Sequence, residues 1–217
     1  MGNISLLLVD DHDVVRQGLK ALLSGEPDLV IVGEARSGRE GVRLASELRP
    51  DVVVMDLAMP LLNGWEATRQ LVRDVPSTRV IVLSSYDSSE YVQQAMAAGA
   101  SGYLNKHAAP ADLLRAIHEV KNGNTFFDSS IAQQLADPVA QSAETALTPR
   151  EAEVLQLIAE GFANKQIAGE LGLSVKTVEK HRQQVMNKLG IHDTAGLVRH
   201  AVAKGVIETH TAGVPTL

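Results

Sequence analysis

Between residue 4 and about residue 122 the chain alternates short β-branched runs with segments of helical period, five times in succession. The runs are 4–9, 29–32, 52–55, 79–83 and 102–104; the helical segments are 14–23, 39–48, 66–72, 90–98 and 111–120. Val52-Val53-Val54-Met55 is apolar without interruption and its counterparts are nearly so, so both faces of the sheet must be covered. Strands that alternate with helices and are buried on both sides form a parallel sheet. The expected fold class is therefore α/β, a doubly wound five-stranded parallel sheet, and such sheets place ligands at the carboxyl ends of their strands.

Charged and polar residues stand at those ends. Asp10-Asp11 follow the first run, Asp56 closes the third, Ser84 the fourth, and Lys106 comes just past Gly102-Tyr103-Leu104. Carboxylates crowded together resist ionisation unless a cation sits among them. Mg²⁺ suits the donors, because it takes oxygen ligands, needs only one or two carboxylates and leaves positions for phosphate oxygens. In this reading Asp11 and Asp56 ligate directly, Asp10 acts through water and the Ala58 carbonyl adds a further oxygen. A carboxylate can also attack phosphorus to give an aspartyl phosphate. Asp56 is the candidate nucleophile, with Lys106 offsetting charge on the transferred group. Taken singly, each acid reads more readily as a helix cap or a loop residue, Lys106 as a solvated lysine and Ser84 as a turn hydroxyl; the coincidence of four strand ends favours phosphate. His12 and Asp13 beside the acid pair suggest a transition-metal site, against which stands the lack of a second clustered histidine.

The remainder is organised differently. Residues 1–124 carry 12 basic against 16 acidic side chains, 125–146 none against three, and 147–217 eight against seven. Only the last segment is suited to meet a polyanion. Phe126-Phe127 and 131–135 read as one more packed segment, and 136–146 as a linker of Ala, Gln, Ser, Asp and Pro. Thr148-Pro149-Arg150-Glu151 then has the spacing of a capping box with proline at the first helical position. Four helices are expected, at about 149–160, 164–171, 175–189 and 194–203, the second and third joined by Gly172 in a tight turn and Ser174 as a cap. On a helical wheel Val178, Val185 and Leu189 share one side; Lys176, Glu179, Lys180, Gln183 and Asn187 gather on the other. The bland alternative is an amphipathic helix whose polar face meets only water. Against it stands a charge bias across 174–190, where Lys176, Lys180, Arg182 and Lys188 face Glu179 alone. Lysines suit phosphates, Gln183 suits adenine and Glu179 suits cytosine.

With these motifs in view, residues 4 to about 121 resemble the receiver domain of two-component response regulators. The resemblance rests on Asp10-Asp11, the Asp56-Leu57-Ala58-Met59-Pro60 loop with Gly64, Ser84, and the run Gly99 to Lys106. Residues 147 to about 203 resemble the LuxR-type helix-turn-helix, through Leu147 to Glu151, Asn164-Lys165-Gln166-Ile167-Ala168, Thr177-Val178-Glu179-Lys180-His181 and Lys188-Leu189-Gly190. Together they look like the NarL/FixJ family. The resemblance implies a flavodoxin-like receiver over 1–122, a linker over 123–146, a four-helix DNA-binding domain over 147–208 and a tail over 209–217. It implies that Asp56 accepts a phosphoryl group from a sensor histidine kinase, that Ser84 and Lys106 bond the phosphoryl oxygens and that Tyr103 shifts as Ser84 is drawn in. On the DNA side it implicates Lys165, Lys176, Thr177, Glu179, Lys180, His181, Gln183 and Lys188, acting on double-stranded DNA as a homodimer, with RNA polymerase as a further candidate partner. Two positions depart from the common pattern: His107 stands where many receivers carry proline, and Ala58 where many carry a polar side chain.

A regulator rather than an enzyme is expected. One alternative binds DNA without the phosphoryl switch, and another is a phosphatase that turns over the same aspartyl intermediate but lacks a separate acid beside Met59-Pro60 to activate water. Cysteine is absent, which removes disulfides and thiol chemistry. No apolar stretch approaches the roughly 20 residues of a membrane span, so no membrane partner and a cytoplasmic location are expected.

Overall fold

The computed structural model describes residues 3–85, 89–127 and 147–207. The chain divides into two compact units, residues 1–141 and 142–217. In the first, strands β1 (Ile4–Val9), β2 (Leu29–Ala35), β3 (Val52–Asp56), β4 (Arg79–Ser84) and β5 (Gly102–Asn105) alternate with helices α1 (Asp13–Leu23), α2 (Gly38–Leu48), α3 (Gly64–Asp74), α4 (Ser89–Ala97) and α5 (Pro110–Lys121). Every pairing is parallel, in the order β2-β1-β3-β4-β5, with a sixth strand beyond β5.

The sixth strand corrects the five-stranded expectation. β6 (Phe126–Phe127) pairs with β5 through Gly102↔Phe126 and Tyr103↔Phe127, so the packed segment expected at these phenylalanines is a strand, within the span 123–146 that the resemblance assigns to the linker. Two residues carry no period, and tertiary contacts supply what pattern cannot. Phe126 is buried in the core, with the Arg115 guanidinium 5.0 Å from its ring centroid. Residues 131–135, the linker beyond 127 and the tail over 209–217 lie outside the described residues.

Successive residues of each central strand feed opposite layers, which explains why the runs are apolar throughout. Leu6, Leu8, Val52, Val54, Ile81 and Leu83 pack with Leu23 of α1 and with Leu113, Ile117 and Val120 of α5. Leu7, Val9, Val53, Met55 and Val80 pack with Ala45 of α2 and with Ala67 and Leu71 of α3. Each Val, Leu, Ile and Met side chain among these contributes roughly 1.5–3 kcal/mol by leaving water. Because β1 lies between β2 and β3, the chain reverses its direction across the sheet there. The crevice at this reversal opens at the carboxyl ends of β1 and β3.

The second unit is helical: α6 (Pro149–Ala159), α7 (Asn164–Leu171), α8 (Val175–Leu189) and α9 (Thr194–Ala203). Its start is a complete capping box. The Thr148 side chain accepts from the Glu151 N–H at 3.4 Å, and a Glu151 carboxylate oxygen accepts from the Thr148 N–H at 2.7 Å. Val154, Ile158, Ile167, Val178, Val185 and Leu197 form the core. Gly172 takes φ +63 at the end of α7, a left-handed conformation that disfavours side chains, and the turn closes with Leu173 N–H donating to the Ala168 carbonyl at 2.9 Å. Ser174 caps α8, accepting from the Thr177 N–H at 3.1 Å.

Candidate functional site

The strand ends converge. Asp10 leaves β1, Asp56 ends β3 and Ser84 ends β4, and all three are buried, at 2 %, 4 % and 1 % exposure. The Lys106 ammonium lies 2.8 Å from Asp10 Oδ2 and 3.0 Å from Asp56 Oδ1. Its backbone is also tied in, since the Lys106 N–H donates to the Ser84 carbonyl at 2.8 Å. Asp56 Oδ1 additionally accepts the Leu57 N–H at 2.8 Å, whereas Asp56 Oδ2 is buried without a hydrogen-bond partner. Single ligand atoms from Asp10, Asp11, His12 and Asp56 all lie within 4.8 Å of one another.

Electrostatics follow from this crowding. Burial, then the neighbouring Asp10 carboxylate, push the Asp56 pKa up to about 6, and Lys106 only partly opposes them. For Lys106, burial favours the neutral amine, but the Asp56 and Asp10 carboxylates outweigh it and its pKa is raised. The pocket thus retains a deficit of positive charge even with the lysine in place. A hard divalent cation fits that deficit, the oxygen-rich donor set and the orphaned Asp56 oxygen.

The loop that carries Asp56 is shaped by Gly64 and Leu57. The Leu57 carbonyl accepts the Gly64 N–H at 2.8 Å, and a Cβ on Gly64 would stand 2.0 Å from the Asp56 carbonyl oxygen. Ala58 lies on this loop at 9 % exposure. Tyr103 is completely buried on β5, not packed at the surface as an isolated tyrosine at a strand end usually is. His107, the departure from proline, uses the N–H that a proline lacks: it donates to Asn105 Oδ1 at 2.8 Å and tightens the turn beyond Lys106.

Arg16 is the residue that sequence reasoning missed. Although charged, it is 4 % exposed, pairs with Asp13 and donates from Nη1 to the Asp10 carbonyl at 2.6 Å. The available signal was its position three residues after Asp13, where an ion pair spans one helical turn. Trp65, on α3, is buried and stacks at a tilt on Tyr91 of α4, with ring centroids 5.6 Å apart.

On the helical unit, Lys165, Lys176, Glu179, Lys180 and Gln183 are exposed, and Thr177 and His181 are half-buried. Gln183 also donates to Asn187 Oδ1 at 2.9 Å. Two of the basic residues are engaged within the unit instead. Lys188 Nζ lies 2.6 Å from the buried Glu151 carboxylate, and Arg182 donates to Asn164 Oδ1 at 3.3 Å and Thr194 Oγ1 at 2.5 Å. Their charge braces helices against one another, so the exposed basic face of α7 and α8 narrows to Lys165, Lys176 and Lys180. No helix among the described residues is long and apolar enough to cross a membrane.

A parallel sheet with an acid cluster and a lysine at the carboxyl ends of its strands has the architecture of a receiver-type module, here joined to a helix-turn-helix. Comparison with known proteins agrees on both halves. The response regulator receiver domain matches residues 6–118, and the luxR family of bacterial regulatory proteins matches residues 145–201. The transcriptional regulatory protein LiaR of Bacillus subtilis is 42% identical over 195 residues, covering 88% of this chain and 92% of LiaR. The response regulator protein VraR of Staphylococcus saprophyticus is 35% identical over 207 residues, covering 94% and 99%. A solved structure of RcsB from Salmonella enterica serovar Typhimurium, bound to promoter rprA in the presence of phosphomimetic BeF3-, shares 27% identity. It aligns with a TM-score of 0.64 over 92% of this chain and 98% of that one. The chain belongs to the NarL/FixJ family of two-component response regulators, which are DNA-binding regulators of transcription.

Proposed function

We propose that Asp56 is the phosphoacceptor of this regulator and that its modification controls dimerisation and sequence-specific binding to double-stranded DNA. The observation that carries the reading is the buried Asp56 carboxylate, with one oxygen unpartnered and the other held by Lys106 and the Leu57 N–H. In the reaction an Asp56 oxygen attacks phosphorus, a P–N bond to the histidine of a sensor kinase breaks, and that nitrogen leaves with the electron pair. With its pKa at about 6, Asp56 is mostly ionised at neutral pH and able to attack. In this reading Lys106 and Ser84 hold phosphoryl oxygens and Tyr103 follows Ser84. Mg²⁺, held by Asp11, Asp56 and the Ala58 carbonyl and through water by Asp10, supplies charge neutralisation when bound.

The receiver is assigned to residues 1–122 extended by β6, the DNA-binding domain to 147–208, with the linker between them and a tail after 208. Lys165, Lys176 and Lys180 serve as phosphate contacts, with Thr177 and His181 at the backbone and Gln183 and Glu179 at base edges. Lys188 ranks below these because Glu151 already holds it. A cytoplasmic location and recruitment of RNA polymerase follow from the same reading.

Labelling with a small phosphodonor in Mg²⁺ tests the acceptor: the wild type incorporates one phosphoryl group, and Asp56→Asn incorporates none. Persistent labelling of that variant would reject the assignment. Affinity for target DNA should rise with phosphodonor in the wild type alone; equal affinity with and without it would favour control by abundance.

A further inference from the structure

His12 stands at the rim of the acidic pocket, and the reading above gives it no task. Its Nδ1 lies 3.0 Å from Asp11 Oδ1 and 3.3 Å from Asp10 Oδ1, and it belongs to the group of ligand atoms that fall within 4.8 Å of one another. Donors that share an ion at about 2.1 Å stand ~3.0 Å apart at adjacent corners of an octahedron and ~3.4 Å apart in a tetrahedron. These are polar contacts between the imidazole nitrogen and the two carboxylates, a hydrogen bond in the case of Asp10, and their lengths are also those of co-ligands around one ion. The pocket also holds a second mark of a cation site, the buried and unpartnered Oδ2 of Asp56. A single histidine was too little in the sequence to outweigh the oxygen donors, but the fold supplies the other three ligands around it.

We propose that His12 is a metal ligand and that it sets the metal preference of this site, which holds Zn²⁺ through one nitrogen and carboxylate oxygens of Asp10, Asp11 and Asp56. The inference rests on the reading that the acidic cluster binds a divalent cation. The chemistry separates the two ions. Mg²⁺ gains little from a nitrogen donor, whereas imidazole is a preferred ligand of zinc and its neighbours in the first transition row. Because both ions need Asp11 and Asp56, they compete, and a regulator with this pocket is sensitive to transition-metal availability as well as to phosphorylation. The His12 side chain is 44% exposed and makes no capping bond at the start of α1, its contacts being those to Asp10 and Asp11.

Two measurements on the full chain test this. Titration calorimetry, with the emission of the lone tryptophan, Trp65, as a second signal, gives Zn²⁺ and Mg²⁺ affinities for the wild type, His12→Gln and Asp56→Asn. His12→Gln should weaken Zn²⁺ binding tenfold or more and change Mg²⁺ affinity less than twofold, and Asp56→Asn should weaken both. An unchanged Zn²⁺-to-Mg²⁺ ratio in His12→Gln would overturn the proposal while leaving the acidic site intact. Absence of saturable binding of either ion would overturn the underlying cation site, and this inference with it. Independently, one equivalent of Zn²⁺ should move the ¹⁵N resonance of His12 Nδ1 and Mg²⁺ should not; a resonance indifferent to Zn²⁺ sinks the idea.

Discussion

At the scale of single residues, Asp56 is a stability liability that the proposed phosphoacceptor role requires. Its folded pKa of about 6 lies above the ordinary 3.8, so the folded protein binds more protons than the unfolded chain between those values. Stability therefore falls as pH rises from about 4 to 6, and the loss persists at neutral pH, with an upper bound of about 3 kcal/mol. Asp56→Asn should accordingly stabilise the metal-free protein at pH 7 and flatten the pH dependence in that window; denaturant melts at pH 4 to 8 measure this, and a variant less stable than wild type at pH 7 contradicts it. Gly64 presents the opposite case. Its absent side chain makes room for the Asp56 carbonyl, and Gly64→Ala should cost about 1–3 kcal/mol and weaken Mg²⁺ binding by displacing the Asp56 loop. Calorimetry that finds unaltered Mg²⁺ affinity in that variant would show the loop to be more compliant than its contacts suggest. Asp10, Asp11, Asp56 and Lys106 were legible in the sequence because each ends an apolar run. Arg16 was not, because a charge on a helix reads as exposed until a nearby carbonyl is known to receive it.

Among the elements, α1 and α8 show how tertiary contacts redistribute what periodicity assigns. On α1, Val14 is 82% exposed while Arg16 is buried, the reverse of the hydropathy order. The ion pair with Asp13 and the bond to the Asp10 carbonyl offset the desolvation of Arg16. On α8, sequence treats its lysines alike and structure divides them. Lys188 is held by Glu151, whose pKa burial tends to raise but the Lys188 and Thr148 bonds bring below its ordinary value. That bridge contributes above about pH 4.5 and is lost as pH falls through the lowered folded pKa. Lys188→Met should lower stability by about 1–3 kcal/mol and leave the salt dependence of DNA binding unchanged. Lys180→Ala should do the converse, with little change in stability and a salt slope smaller by about 1. Binding isotherms across a salt series, beside thermal melts, separate the two; equal slopes for Lys180→Ala and wild type would remove Lys180 from the phosphate contacts.

Over the whole molecule, the sequence by itself determined the fold class of both units and the residues that could carry chemistry. It did so because uninterrupted apolar runs, capping signals and a turn glycine are local consequences of burial on two faces and of backbone geometry. Only the tertiary structure decided which charges are used within the fold and which face outward. Lys188, Arg182 and Arg16 are bound by groups 37, 18 and six residues away, separations that no helical or strand period encodes. The sixth strand belongs to the same category, since two phenylalanines become a strand only when the edge of β5 stands beside them. So does the pocket, where a lysine, three carboxylates and a histidine come within a few ångströms of one another.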